Sequence, residues 1–159
     1  MPALPLLPGV GLAAPPVYSS PAVLRVLPGP HDACFSDAAR TAFFDAHYIV
    51  SPRADRQGFR LGGTPVLPLG GILSEAAPFG GVQVPPDGQP ILLMADRQPT
   101  GGYPLIGVVI SADLTLAGQL APGDAVRFWP VTLAEAHRAA LMQERALRML
   151  VRSVRKPYP

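Results

Sequence analysis

Twenty-one prolines and sixteen glycines among 159 residues constrain this chain more than any other feature. Proline lacks the backbone donor that helix interiors and central strands require, so a chain rich in both residues cannot be built mainly from long helices. The spacing of these breakers leaves short apolar runs, as in AVLRVL, YIV, VQV, ILLM and LIGVVI. Short strands joined by tight turns are the expected product, and the length suffices for one domain with its own core.

Composition narrows the function classes. Residues 1–137 hold seven Lys/Arg against ten Asp/Glu, a balance of −3, whereas residues 138–159 hold six against one, a balance of +5. A nucleic-acid-binding body would spread basic residues over a docking face, so nucleic acid is not an expected partner. The first basic residue is Arg25, and residues 1–21 carry six prolines, which leaves neither a charged signal-peptide start nor an apolar run of membrane-spanning length. Residues 1–21 are expected to be an extended, proline-rich lead-in. The single cysteine, Cys34, fits a small buried apolar position and a reducing, cytoplasmic setting. His31, His47 and His137 fall in separate segments, and no Cys/His cluster has the spacing of zinc ligands, so no metal is expected.

Taken in order, residues 22–27 read as a strand closed by Pro28-Gly29-Pro30. Ser36 is a helix N-cap for a short helix over residues 38–47, with Ala39, Phe43 and Ala46 on its buried side. Residues 48–50 are the next strand. In residues 58–61, period-two alternation puts Phe59 and Leu61 on one face and Gly58 and Arg60 on the other. The runs 82–84 and 91–94 flank Pro85-Pro86-Asp87-Gly88, a turn in which proline presets φ, aspartate bonds the backbone ahead and glycine accepts a positive φ. Residues 105–110 read as a buried strand, 114–120 are ambiguous, and 125–129 alternate as a half-buried strand. Thr132-Leu133-Ala134-Glu135 is a capping box opening a long helix over about residues 133–154. Arg138, Arg145, Arg148, Arg152 and Arg155 fall on one side of it, and Leu133, Ala140, Leu147, Leu150, Val151 and Val154 are expected to supply apolar contacts elsewhere on the helix. That basic helix fits a solvated face, an acidic partner or a membrane surface.

Chemistry-bearing residues concentrate in two places. GGVQVPPDGQPILLMADRQPTGGY, residues 80–103, ends in a carboxylate, a guanidinium, an amide, a hydroxyl, a glycine pair and a phenol, which suits the mouth of a pocket. It also suits a polar hairpin loop that only turns the chain. SPRADRQGFRL, residues 51–61, places Arg56 and Arg60 around Gly58, a pair fitted to clamp a carboxylate or phosphate, to line a solvated rim or to pair with Asp55. Glu75, the first glutamate in the chain, is a candidate general base, a partner for Arg56 or Arg60, or an exposed turn residue. The chain has no P-loop, dinucleotide fingerprint, nucleophile elbow or zinc-protease motif.

The motifs occur in a telling order: VLPGP (26–30), SP with DRxGFRL (51–61), ILSE (72–75), the whole of residues 80–103, then VISAD (109–113) with QLxPGDxVxF (119–128). This series resembles the biotin-dependent carboxyltransferase and allophanate hydrolase subunit 2 family, which includes the C subunit of prokaryotic 5-oxoprolinase, the KipA type. Relatives are longer, with a first half whose motifs are missing here, and this chain carries Ala76 and Pro99 where other residues are typical. The resemblance implies a mainly β (α+β) fold, a cyclophilin-like β-barrel over residues 22–130 with a short helix and a long C-terminal helix in 131–159. It implies work with the B (KipI-like) and A subunits of 5-oxoprolinase, with ATP, on a small amide substrate. Under it, Glu75, Asp96 and Arg97 are catalytic candidates, and Arg56, Arg60, Gln83, Asp87, Thr100, Gly101, Gly102 and Tyr103 are substrate-binding candidates. Two further readings stay open: a carboxyltransferase accepting carboxybiotin, and a non-catalytic KipA-like partner of a KipI-like protein.

Overall fold

The structure, a computed structural model, describes residues 20–154. The expected lead-in up to residue 19 lies outside the described residues, as does Arg155. Among the described residues nine strands form: β1 (Ala22–Pro28), β2 (Tyr48–Val50), β3 (Gly58–Gly62), β4 (Glu75–Ala76), β5 (Gly81–Gln83), β6 (Ile91–Leu93), β7 (Thr100–Gly101), β8 (Leu105–Val109) and β9 (Ala125–Pro130). Three helices accompany them: α1 (Asp37–Asp45), α2 (Leu114–Ala117) and α3 (Leu133–Val154). Seven strands close a barrel in the order β1-β8-β5-β6-β3-β2-β9, while β4 and β7 pair as a separate two-stranded ribbon. The barrel pairs are antiparallel except β1 with β9, which run parallel and so need the long excursion between them.

Local signals translate directly into elements. Ser36 caps α1 by accepting from the Ala39 amide at 3.1 Å, and Phe43 on that helix is fully buried. The β5–β6 hairpin pairs Val82 with Leu92 and Gln83 with Ile91. At its turn the Gly88 amide donates to the Pro85 carbonyl at 2.9 Å, Asp87 Oδ1 accepts from the Gln89 amide, and Gly88 has φ of 76°. The ambiguous stretch after residue 113 forms only the single turn α2, after a 3-10 turn over Ser111–Asp113.

Alternation along the strands sorts the barrel's two faces. Leu24, Val26, Val50, Leu61, Val82, Val84, Leu92, Val126 and Phe128 point inward and form one core. Phe43 caps that core, with its ring stacked 4.7 Å from Phe128 and 5.9 Å from Tyr48. Arg25 ties β1 to the 3-10 turn: its backbone amide and guanidinium reach both oxygens of buried Asp113 at 2.6–2.9 Å, and that bonding raises the Arg25 pKa.

Helix α3 departs from expectation in its packing. Its capping box forms, with Thr132 and Glu135 bonded reciprocally. Among the described side chains its docking contacts lie in its first half, buried Ala136 and a 3.5 Å bond from Gln143 to the Ala112 carbonyl, while the side chains of Leu150, Arg152 and Val154 lie outside the described ones. Leu133, Leu147 and Val151, expected as contacts, are 58%, 56% and 50% exposed. For Leu147 and Val151 the physical reason is length: a 22-residue helix of about 33 Å outruns the patch offered by β1 and the 3-10 turn, whereas Leu133, in the first turn, lies off that patch.

Candidate functional site

The residues that alternate away from the core build the site. On β3, Gly58 and Arg60 face outward while Leu61 enters the core; on β5, Gln83 does so between Val82 and Val84; on β6, Ile91 and Leu93 flank inward Leu92. Strand register sets these outward residues side by side. Arg60 pairs with Ile91 and Ile91 with Gln83, and the next row sets Gly58 beside Leu93. The β4–β7 ribbon and the loops beside it lie over this wall, and Ala77, Leu93, Leu105 and Ile91 form a second small apolar cluster beneath them. Between wall and ribbon is a cavity of about 590 Å³, within the range of small-molecule sites. The site is thus on the barrel's outer wall, not in its lumen.

Six of the substrate-binding candidates line this cavity: Arg60, Gln83, Thr100, Gly101, Gly102 and Tyr103. Gln83 is buried although it faces away from the core, because the ribbon covers it. Its Nε2 donates to the Tyr103 carbonyl at 3.5 Å. A Cβ on Gly101 would come within 2.5 Å of that nitrogen, so glycine is what lets the ribbon sit down on Gln83.

The other candidates are held elsewhere. Arg56 pairs with Asp96 through Nε and Nη2, at 2.7 and 3.2 Å, and that hydrogen bonding raises the Arg56 pKa. Arg97 donates to the Ala77 carbonyl at 2.8 Å and lies over the Phe79 ring at 5.7 Å, clamping the chain that leaves the ribbon. Asp87 serves the β5–β6 turn. Glu75 begins β4 but meets His31, not Arg56 or Arg60. His31 Nδ1 accepts from the Leu105 amide at 3.0 Å, so Nε2 carries the proton in the neutral ring and donates to Glu75 Oε1 at 2.7 Å. This histidine fastens the ribbon to the barrel.

Cavity-lining residues outside the candidate set are Arg53, Asp55, Gln57, Gly58, Ser74, Ala77, Ile91, Leu93 and Gln98. Arg53 is the informative one. Neither it nor Arg60 forms an ion pair or side-chain hydrogen bond among the described residues, whereas Asp55 spends Oδ1 on the Gln57 and Gly58 amides. The polar density of residues 51–61 signalled this wall, but nothing in the local pattern separated Arg53, which faces the cavity, from Arg56, which does not. Among the described residues no group of three His, Cys, Asp or Glu is placed to hold a metal ion, and no helix is long and apolar enough to cross a membrane.

Known proteins share this architecture. The chain is 40% identical to the 5-oxoprolinase C subunit of Haemophilus influenzae over 130 residues, which is 80% of this chain and 41% of that protein. It is 38% identical to the Escherichia coli 5-oxoprolinase C subunit over 129 residues, 80% of this chain and 42% of that one. The chain thus spans about two fifths of the length of these curated relatives. The crystal structure of TTHA0988 superposes with a TM-score of 0.65 at 40% identity, covering 80% of this chain and 25% of that one. Kluyveromyces lactis urea carboxylase shares the fold, with a TM-score of 0.76 at 23% identity over 80% of this chain and 12% of that one. The family model "Carboxyltransferase domain, subdomain A and B" matches residues 8–130, so the chain belongs to that carboxyltransferase-domain family.

Proposed function

We propose that this chain is a subunit, or part of one, of an ATP-dependent 5-oxoprolinase, which opens the lactam of 5-oxoproline to glutamate together with partner subunits. The observation that carries this reading is the identity of about 40% to two 5-oxoprolinase C subunits, over 80% of this chain. In this reading the cavity holds the small amide. The Gln83 amide, the Thr100 hydroxyl and the Tyr103 phenol supply donors and acceptors to a lactam edge, and the ribbon limits access of water. Glu75, Asp87 and Asp96 are not part of this cavity's lining and are given no role in holding the amide. ATP enters as the co-substrate of the assembled complex.

The test is reconstitution with the A and B subunits of 5-oxoprolinase, and with a polypeptide covering the remainder of a relative's C subunit. The expected result is glutamate release from 5-oxoproline that requires ATP and this chain, and that falls at least tenfold in Thr100→Val with Tyr103→Phe. ATP-dependent turnover that proceeds equally without this chain would remove the reading. A carboxyltransferase role, which the family description favours, predicts instead transfer of carboxyl from a carboxybiotinylated carrier, and the same preparation can be assayed for it with urea as acceptor.

A further inference from the structure

We infer that the cavity is selective for a carboxylate on a small cyclic amide, with Arg53 and Arg60 as the carboxylate clamp and Gln83 at the amide end. This deepens the reading above and rests on it for the identity of the amide. The cavity wall is polarised along one direction. Arg60, Ile91 and Gln83 are register neighbours on three adjacent strands, so the backbones that carry the cationic and the amide side chains are about 10 Å apart, with an apolar residue between. Leu93 extends that apolar strip beside Gly58, over which Ile91 packs so closely that a Cβ there would meet Ile91 Cγ2 at 3.0 Å. A ligand complementary to this row has a charged group at one end, a short hydrocarbon middle and a neutral hydrogen-bonding edge opposite. A five-membered lactam bearing a carboxylate has that layout; urea, neutral and polar throughout, does not.

Charge supports the same orientation. Of the four arginines near the site, Arg56 is neutralised by Asp96 and Arg97 is spent on a backbone carbonyl and an aromatic ring. Arg53 and Arg60 have no side-chain partner among the described residues and both line the cavity. Their backbones are neighbours because β2 and β3 are paired: the Ser51 amide donates to the Arg60 carbonyl at 2.9 Å, and Arg53 follows within two residues, its amide bonded to Ser51 Oγ. Asp55, the one acid on the wall, has its Oδ1 committed to two backbone donors. The wall is therefore net cationic at one end only. A phosphoryl group shares the anionic chemistry that two guanidinium groups recognise, so the experiment separates the two sources.

Isothermal titration of the full chain with 5-oxoproline, with the neutral lactam 2-pyrrolidinone and with inorganic phosphate makes the test. Expected are measurable binding of 5-oxoproline, at least tenfold weaker binding of the neutral lactam, and no competition by phosphate at comparable concentration. Arg53→Gln and Arg60→Gln should each weaken 5-oxoproline about tenfold, the low end for a charge-assisted bond at exposed side chains, and leave 2-pyrrolidinone unchanged. Arg60→Lys should fall between. The variants should melt as the wild type does, since neither side chain bonds within the described protein. Equal affinity for acid and neutral lactam, unchanged 5-oxoproline affinity in both variants, no binding of 5-oxoproline at all, or Arg-dependent binding of phosphate in its place would each overturn the clamp. In the reconstituted enzyme, turnover with unchanged KM in the double variant defeats the clamp while the 5-oxoprolinase reading stands. Arg-dependent binding of 5-oxoproline by a chain that supports no turnover defeats that reading while the clamp stands.

Discussion

Replacing Tyr48 by phenylalanine should stabilise this protein, and the structure allows the size of the effect to be worked out. Tyr48 is fully buried against the stacked Phe43 and Phe128 rings in the barrel core, and its hydroxyl has no hydrogen-bond partner among the described residues. An unsatisfied buried hydroxyl costs roughly 1–3 kcal/mol, and deleting one oxygen opens almost no cavity because the ring remains. At neutral pH the variant should therefore gain about 1 kcal/mol, or about 3 °C in midpoint for a chain of this size. A second, independent signature appears in alkali. Burial pushes the Tyr48 pKa up from 10.0 to about 12. Below pH 10 neither state ionises, so this group's contribution to wild-type stability is fully present there. Between about pH 10 and pH 12 the unfolded chain loses the proton while the folded one keeps it, so stability falls, by at most about 3 kcal/mol. Urea unfolding of wild type and Tyr48→Phe at pH 7 and across that alkaline window isolates the effect, since every other titrating group is common to both. A loss of about 1 kcal/mol or more at pH 7, or identical alkaline profiles, would refute the argument and show the hydroxyl to be satisfied.

Gly101→Ala places a methyl group 2.5 Å from Gln83 Nε2, the movable end of a side chain. The fold should survive with little change in midpoint, while 5-oxoproline affinity by calorimetry drops several-fold as Gln83 is displaced. Arg97→Ala should behave in the opposite way, lowering stability by about 1–2 kcal/mol through loss of the Ala77 carbonyl bond and the Phe79 contact, with cavity affinity nearly retained once the protein is folded. A large affinity loss without destabilisation would return Arg97 to the site. Two hydrogen bonds from Thr132 hold the Glu135 carboxyl below its usual range. The capping contribution is therefore present above that range and is lost as pH falls through the lowered pKa. Far-UV circular dichroism should show acid fraying of α3 that begins at higher pH in Thr132→Val than in the wild type.

Much of this protein is decided within a few residues of chain. The prolines and glycines bound the strands, and the Pro85–Gly88 turn forms by the local bonds that its residue types allow. Ser36 and the Thr132–Glu135 pair set two helix starts, because caps and turns are interactions between neighbours in sequence. Alternation alone also put Arg60 on the face opposite Leu61, and the ordered motifs pointed to the family that the match over residues 8–130 shows. Tertiary structure decided what those outward residues do. Which of Arg53, Arg56, Arg60 and Arg97 stays free depends on Asp96, Ala77 and Phe79, partners up to 40 residues away that local pattern does not rank. The pairing of Glu75 with His31 spans 44 residues and exists only because β4 folds back over the barrel beside β8. Residues 80–103, legible in sequence as a hairpin with a polar exit, became a cavity wall because closure of the barrel sets β5, β6 and β3 side by side and lays β7 across them. A strand's own residues determine which way each side chain faces; only the neighbouring strands and the covering ribbon determine what it faces.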